Sequence, residues 1–394
     1  LSLSLSFSFK YFMKLKHGLV ALLFLQNYAD ARVILDKERV YAELDGKVDL
    51  KFGYSFEGES FDDKPHDKTS SSSDLRLLYL QRVYTSTQMG FNVKVELSDI
   101  KEFNAEKIKL KEGYFIIKNQ GLGSIEFGRR DLVSQSMLIN TSKIYAAAGG
   151  VNGNWANYAN LRGEYKRVDG GGYDRDRVFW VKPNIYSNYN GLKANATMSY
   201  ISPEFYNFKL GLSYLPGENN LQYSNLIAAG LSYNGSLSDD INFTTAVTGE
   251  FARENFSDCE NEDPANIQCH NQLMHWNFGV NVKFFSLSGI FSCGNGGKSG
   301  QRFDPETNNT YYVNAGVGYH FDSRKFSLTY FNSGREIAGA GKNELTSYAI
   351  SLEYPLAIGT SYYFDIVKFN TKEPKVINNN SGYVLLAGLK LSFD

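Results

Sequence analysis

From Val48 onward the chain alternates apolar and polar residues with a period of two. Val48, Leu50, Phe52, Tyr54 and Phe56 share one face of the first clear strand, and Asp49, Lys51, Gly53 and Ser55 share the other. The same alternation runs through Phe91–Leu97, Leu192–Tyr200, Phe208–Tyr214, Ile227–Tyr233, Ile241–Val247, Trp276–Phe284, Val313–Tyr319, Tyr348–Tyr354 and Tyr383–Phe393. Strict alternation marks a strand with one buried face, and the whole pattern predicts about sixteen strands. Period two alone does not separate a soluble sandwich or propeller from a membrane barrel. Two further features do: strands of about nine to thirteen residues throughout, and short turns confined to every second connection, as expected when tilted strands cross about 25 Å of hydrocarbon. Closure into a barrel also satisfies every backbone group in lipid without leaving an edge. Tyr54, Tyr200, Tyr214, Tyr233, Tyr319, Tyr330 and Tyr354 fall on the apolar face near strand ends, where a ring with a polar tip suits the membrane interface. The predicted fold is therefore all-β, a closed antiparallel transmembrane barrel.

The rhythm is suspended once, between Arg129 and Asn190. A structureless stretch of that length in a compact domain points to a functional loop. It holds Asp131, Leu132, Ser134 and Gln135, the small-residue turn Ala146–Gly150, then Trp155 and Tyr158, and a charged, glycine-rich run from Arg162 to Arg177. Glycine and alanine allow tight folding against an inner wall, so residues 130–191 are expected to form a constriction loop inside the barrel. Its acids, Asp131, Glu164, Asp169 and Asp174, would face lumen bases. The candidate bases are Arg76 and Arg82, which share a face of one strand, with Arg129 and Arg130; strict alternation points Arg130 inward on the Gly128 face. The competing reading is that these are solvated loop and rim charges.

The N-terminal segment reads differently from the rest. Met13 is followed by Lys14, Lys16 and His17, an apolar run from Leu19 to Leu25, and Ala29-Asp30-Ala31, the layout of a secretory signal cleaved after Ala31. Residues 13–31 are thus expected to be a signal peptide, 1–12 an upstream extension and 32–394 the mature barrel. The apolar run is too short to span a bilayer as a helix.

Composition narrows the class further. Tyr 27 and Phe 28 against Trp 3, with Gly 36 and Pro 8, is a strand-favouring profile. A net charge of −1 gives no basic field for nucleic acid. With Cys 3 and an export signal, one disulfide is expected; Cys259 pairs with Cys269 in the preferred reading, and Cys293 is the alternative partner. No serine and acid can be placed beside a histidine by spacing, so no catalytic residues are assigned. Cys259, Cys269 and His270 lack metal-site spacing, so no metal or cofactor is expected. The lumen-facing lysines Lys94, Lys193, Lys209, Lys283 and Lys390 are offset by Glu96, Glu126, Glu353 and Asp365, which leaves ion preference open.

Several stretches resemble the Gram-negative general diffusion porins, in their alpha-proteobacterial style. They are Gly123-Ser124-Ile125-Glu126-Phe127-Gly128-Arg129 leading into the long loop; Tyr200-Ile201-Ser202-Pro203-Glu204-Phe205 followed by Phe208 to Pro216; Leu352-Glu353-Tyr354-Pro355-Leu356; and the end from Ala387 to Phe393. The resemblance spans nearly all of the mature chain. It implies a homotrimer of sixteen-stranded barrels embedded in outer-membrane lipid, each narrowed by its third long loop, and passive diffusion of ions and small hydrophilic solutes. It favours Arg129 over Arg130 as the inward base. It also implies a C-terminal signal for the barrel assembly machinery, carried here by Tyr383, Leu389, Leu391 and Phe393, although Asp394 follows the terminal aromatic. The rival function is a surface-exposed barrel acting as an adhesin or ligand-binding protein.

Overall fold

The computed structural model describes residues 33–37, 39–57, 67–98, 108–144, 154–159, 196–216, 223–254, 273–297, 307–322, 324–337, 341–372 and 380–393. Its strands are β1 (Val33–Lys37), β2 (Val40–Glu57), β3 (Asp67–Tyr84), β4 (Thr87–Ser98), β5 (Ile108–Asn119), β6 (Gly123–Arg129), β7 (Thr197–Ile201), β8 (Phe208–Leu215), β9 (Tyr223–Ser238), β10 (Ile241–Glu254), β11 (Leu273–Phe284), β12 (Leu287–Asn295), β13 (Thr307–Phe321), β14 (Arg324–Ile337), β15 (Gly341–Ala357), β16 (Thr360–Lys372) and β17 (Ser381–Phe393). Each of β2 to β17 pairs antiparallel with its neighbours in sequence, and β17 pairs back onto β2 through Leu385↔Tyr54, Leu389↔Leu50 and Phe393↔Gly46. The ring is thus a closed sixteen-stranded antiparallel barrel. The short β1 folds back on the start of β2, with Val33 opposite Leu44 and Lys37 opposite Val40.

The two faces of the wall invert the usual order of a soluble protein. Along β15, Ile350 is 47% and Leu352 42% exposed, whereas the intervening Ser351 is 0% and Glu353 only 7%. Phe52, Phe115, Ile125, Val247, Phe291 and Phe364 are likewise exposed, while Asn92, Thr197, Ser199, Ser213, Asn277 and Asn314 are buried. Apolar side chains outward and polar ones inward is the arrangement of a barrel whose outer solvent is lipid. No helix among the described residues is long and apolar enough to cross a membrane. Aromatic pairs sit beside the short turns on the outward face, as at Tyr354 and Tyr362 (5.3 Å between centroids) and at Phe208 and Tyr233 (4.7 Å).

Several strands run farther than the alternation predicts. β3 begins at Asp67 although Glu57 to Asp74 is a polar stretch without alternation, β13 begins at Thr307, β15 at Gly341, and β16 continues to Lys372. These extensions lie toward the long connections. There the ladder is maintained by backbone hydrogen bonds while both faces carry polar residues, so the periodicity that signals burial is lost although the strand persists. The β7–β8 turn shows how tightly the opposite end is closed. Phe205 and Phe208 exchange both backbone hydrogen bonds at 2.9 Å, leaving Tyr206 (φ 47°) and Asn207 (φ 68°) as a two-residue loop. Two consecutive positive φ values give the turn that matches strand twist.

Candidate functional site

The buried apolar clusters lie between the wall and the segment that follows β6, rather than between two layers of strands. The chain leaves the ladder after Arg129. Arg130 is 7% exposed, forms an ion pair with Glu126 and lies 5.4 Å from the centre of the Tyr114 ring. Its Nε donates to the Asp131 carbonyl at 2.8 Å. A single helical turn follows, α1 (Val133–Ser136), and its first two residues are pinned to the wall. The Val133 amide donates to Ser213 Oγ at 3.0 Å, and Ser134 Oγ donates to Glu250 Oε1 at 2.5 Å. Leu132 and Val133 pack with Leu215, Leu226, Ala228 and Ala252 of β8, β9 and β10.

Beyond α1 the loop continues around the inner wall over a series of glycines. A Cβ on Gly211 would fall 2.9 Å from Val133 Cβ, one on Gly230 2.7 Å from Met137 Sδ, and one on Gly279 2.5 Å from the Ile139 carbonyl oxygen. On Gly316 it would meet the Ile144 side chain at 3.0 Å. The absent side chains are therefore what lets the loop backbone touch the sheet. Thr141 adds a polar anchor, its amide donating to Asn314 Oδ1 at 3.1 Å. The described part of the loop resumes at Asn154 on the far side of the barrel. There Trp155 is fully buried and stacks on Phe369 with 5.6 Å between centroids. Tyr158 fills the space above Gly53, and its hydroxyl shares a 2.8 Å hydrogen bond with Ser70. Burial pushes this phenol above its ordinary pKa, so it stays neutral. Around Trp155 and Tyr158 gather Phe331, Leu345, Val367, Val384 and Leu386, all lumen-facing and all buried. Each fully buried apolar side chain of this kind stabilises the seat by about 1.5–3 kcal/mol.

The wall not covered by α1 carries a dense, balanced set of charges. One cross-strand row in register brings together Asp45, Arg76, Lys94 and Glu112 across β2 to β5. Arg76 donates to Asp45 at 2.6 Å and to Glu43 at 3.0 Å. Lys111 bridges Asp74 at 3.3 Å and Glu96 at 2.9 Å, and Lys94 lies 3.7 Å from Asp74. Asp49 accepts from the Tyr363 hydroxyl at 2.8 Å and lies 4.0 Å from the Lys51 ammonium.

The residues nominated from sequence are distributed unevenly over this geometry. Arg76 and Arg130 lie on the lumen face, each satisfied by acids of the wall strands themselves. Arg82 is exposed near the end of β3 and its amide donates to the Arg39 carbonyl at 2.7 Å, so it sits by the short turn and apart from Arg130. Arg129 is the last residue of β6, opposite Gly113, in the alternation of the outward Phe127. Asp131 adjoins Arg130; Glu164, Asp169 and Asp174 lie outside the described residues, as do Cys259 and Cys269. Cys293 is a free thiol in β12 between Phe278 and Val313, in the outward alternation of Phe291. Tyr383, Leu389, Leu391 and Phe393 follow one another along one alternation of β17, opposite Phe56, Leu50, Val48 and Gly46. Among the described residues no cluster of His, Cys, Asp and Glu suits a metal ion.

Sequence reasoning missed the seat of the loop: the glycine track, Glu250, and the inward apolar residues Leu215, Leu226, Leu345, Phe369, Val384 and Leu386. A signal was available. In Val384-Leu385-Leu386 and in Leu226-Ile227-Ala228 both faces of the strand are apolar, which a water-filled lumen alone does not require.

A closed sixteen-stranded barrel with outward apolar and inward polar residues and a loop seated on its inner wall is a membrane-spanning channel architecture. The sequence profile of Gram-negative porins matches residues 28–374, and the chain belongs to that family. Similar curated proteins include uncharacterized proteins of Rickettsia conorii, 25% identical over 351 residues, and of Rickettsia prowazekii, 24% identical over 344 residues; each alignment covers 71% of this chain and 76% of the relative. Among solved structures, OmpF of Salmonella typhi in complex with daunomycin is similar with a TM-score of 0.62 at 11% identity, covering 92% of this chain and 100% of that one. OmpT, an outer membrane protein of Vibrio cholerae in trimer form, matches with a TM-score of 0.55 at 12% identity over 90% and 100% of the two chains. A porin of Rhodopseudomonas blastica gives 0.53 at 12% identity over 89% and 100%. At these identities the structures share the fold.

Proposed function

We propose that the protein is an outer-membrane channel through which ions and small hydrophilic solutes diffuse passively, with residues 130–191 setting its narrowest section. The observation that carries this reading is the loop's seat: the described parts run along the inner wall from β6 to β16 and β2 on notches that any side chain would fill. A loop built to project outward as a binding surface needs no such notches. A barrel of this strand number encloses more space than its own wall side chains fill, whereas about eight strands would leave none. Diffusion needs no catalyst, and the mid-wall cations Arg76, Lys94, Lys111 and Arg130 are engaged in ion pairs with wall acids.

The same reading extends to assembly. The mature barrel, released by cleavage after Ala31, is proposed to insert with the barrel assembly machinery through the β17 end and to function as a homotrimer. Purified protein in planar bilayers should give discrete conductance steps, in cold SDS it should run as a trimer, and boiling should convert it to monomer. Folded protein that produced no conductance would overturn the channel and leave a closed binding barrel.

A further inference from the structure

We propose that the short-turn mouth of the barrel, the periplasmic side of an outer-membrane barrel, carries an uncompensated basic ring that admits small anions such as chloride and inorganic phosphate in preference to cations. The inference rests on the channel reading and deepens it by naming the solute class favoured at one end. Six cations sit on lumen-facing register positions close to strand ends at that mouth. Arg82 and Lys118 lie just before the β3–β4 and β5–β6 turns. Lys209 is the second residue of β8, Lys283 the last but one of β11, and Lys325 the second of β14. Lys390 lies near the end of β17 opposite Ser361. The inward direction of Lys209, Lys283 and Lys325 is set by the loop itself, because Gly211, Gly279 and Gly316, which touch Val133, Ile139 and Ile144, share alternation with Lys209, Lys283 and His320, and His320 is the cross-strand partner of Lys325; Arg82, Lys118 and Lys390 share alternation with the lumen-facing Arg76 and the buried Ile116 and Leu386.

The charge balance at this mouth differs from that at mid-wall. Among the described residues, the lumen-facing acids toward these ends are Glu126, paired with Arg130, Glu43 and Asp45, paired with Arg76, Asp49, which stands opposite Lys390 and accepts from the Tyr363 hydroxyl, and Glu353, held by Lys390 at 2.6 Å and Lys325 at 3.2 Å and accepting from Ser361 at 3.2 Å. One carboxylate cannot neutralise two ammonium groups. Arg82, Lys118, Lys209 and Lys283 form no ion pair among the described residues. Glu204, Asp239, Asp240 and Asp322 lie in the turns themselves, beyond the strand ends, and offset the ring only in part. At mid-wall, by contrast, Arg76, Lys94, Lys111 and Arg130 each have an acid within ion-pair distance.

A ring of one sign in an aqueous mouth with low-dielectric walls raises the local concentration of counter-ions, and lysine and arginine rings are the device of anion pores. The reach of its field depends on salt, with a Debye length of about 8 Å at physiological ionic strength and about 30 Å at 10 mM. The ring therefore acts most strongly when the dilute solution bathes its own side. Protein inserted in one orientation, verified by protease cleavage of the long connections from one chamber, would be given a potassium chloride gradient in each direction. The expected result is a reversal potential favouring chloride that is larger when the short-turn side is dilute. Lys118→Glu, Lys209→Glu and Lys283→Glu together, at exposed positions without ion pairs, should lower the chloride-to-potassium permeability ratio several-fold and abolish the asymmetry. Lys342→Glu, at the other end of the barrel, should leave both unchanged. Addition of inorganic phosphate to the short-turn side should reduce chloride current in the wild type more than in the triple variant. Equal reversal potentials in both directions in the wild type would overturn the ring whether or not the variant folds, as would a ratio unchanged by the three substitutions. Absence of any conductance would instead overturn the channel reading beneath it.

Discussion

Arg130 stands one residue beyond the ladder with Glu126 on one side and the Tyr114 ring on the other. A charge in that position is structural before it is selective, because its partner Glu126 is itself 9% exposed. Breaking a buried pair by removing one partner leaves the other charge uncompensated, at a cost of about 3–5 kcal/mol, whereas replacing both with apolar groups is close to neutral. Arg130→Gln is therefore expected to loosen the root of the loop, read as faster proteolysis of residues 130–144 in the folded barrel, and Arg130→Met with Glu126→Leu to restore protection. Arg82→Gln, at an exposed position by a turn, should change stability by less than about 0.5 kcal/mol. Equal proteolysis in Arg130→Gln and Arg82→Gln would refute this division. The sequence does not make the division visible. Period two assigns Arg76 and Arg82 to one face, but height along the strand and pairing with Glu43 and Asp45 depend on register against β2, which alternation leaves free.

The strands and the loop were unequally legible. Where a strand crosses the apolar belt, as from Tyr348 to Tyr354, its outward face must be greasy and its period declares it; where it continues past the belt, as from Asp67 to Asp74, no solvent contrast remains to write a period. The loop's existence was legible from the broken rhythm and its seat was not, because each anchor is half on the loop and half on a distant strand: Val133 needs Gly211, Ile139 needs Gly279, and Trp155 needs Phe369. These pairs suggest two experiments of opposite sign. Gly279→Val forces the Ile139 backbone off the wall toward the lumen, so single-channel conductance should fall while heat-modifiable migration in SDS is retained. Trp155→Ala removes a fully buried ring, a change that costs about 3–5 kcal/mol in a core, and should release the far end of the loop, giving a broader and noisier conductance distribution. Unchanged conductance in both variants would mean that this segment does not narrow the pore.

At the scale of the whole molecule, the barrel and the loop are separable in energy. The wall is held by ladders that close through β17 on β2 and by outward residues that see lipid. Shortening the loop is thus expected to leave folding intact and to change transport, but the anchors decide how the deletion must be cut. Removing 146–160 would take Trp155 and Tyr158 with it, so any gain in conductance would mix a wider opening with a lost tether. Excising part of 145–153 keeps Ile144 on Gly316 and Tyr158 on Gly53 while shortening the chain between them. The expected outcome is a larger, quiet conductance and faster entry of larger sugars into proteoliposomes, with trimer mobility in cold SDS unchanged. The wider deletion should give similar mean conductance but noisier traces. If the loop instead serves as an outward binding surface, neither deletion should alter conductance or size cutoff, and that result in correctly folded barrels would favour the adhesin.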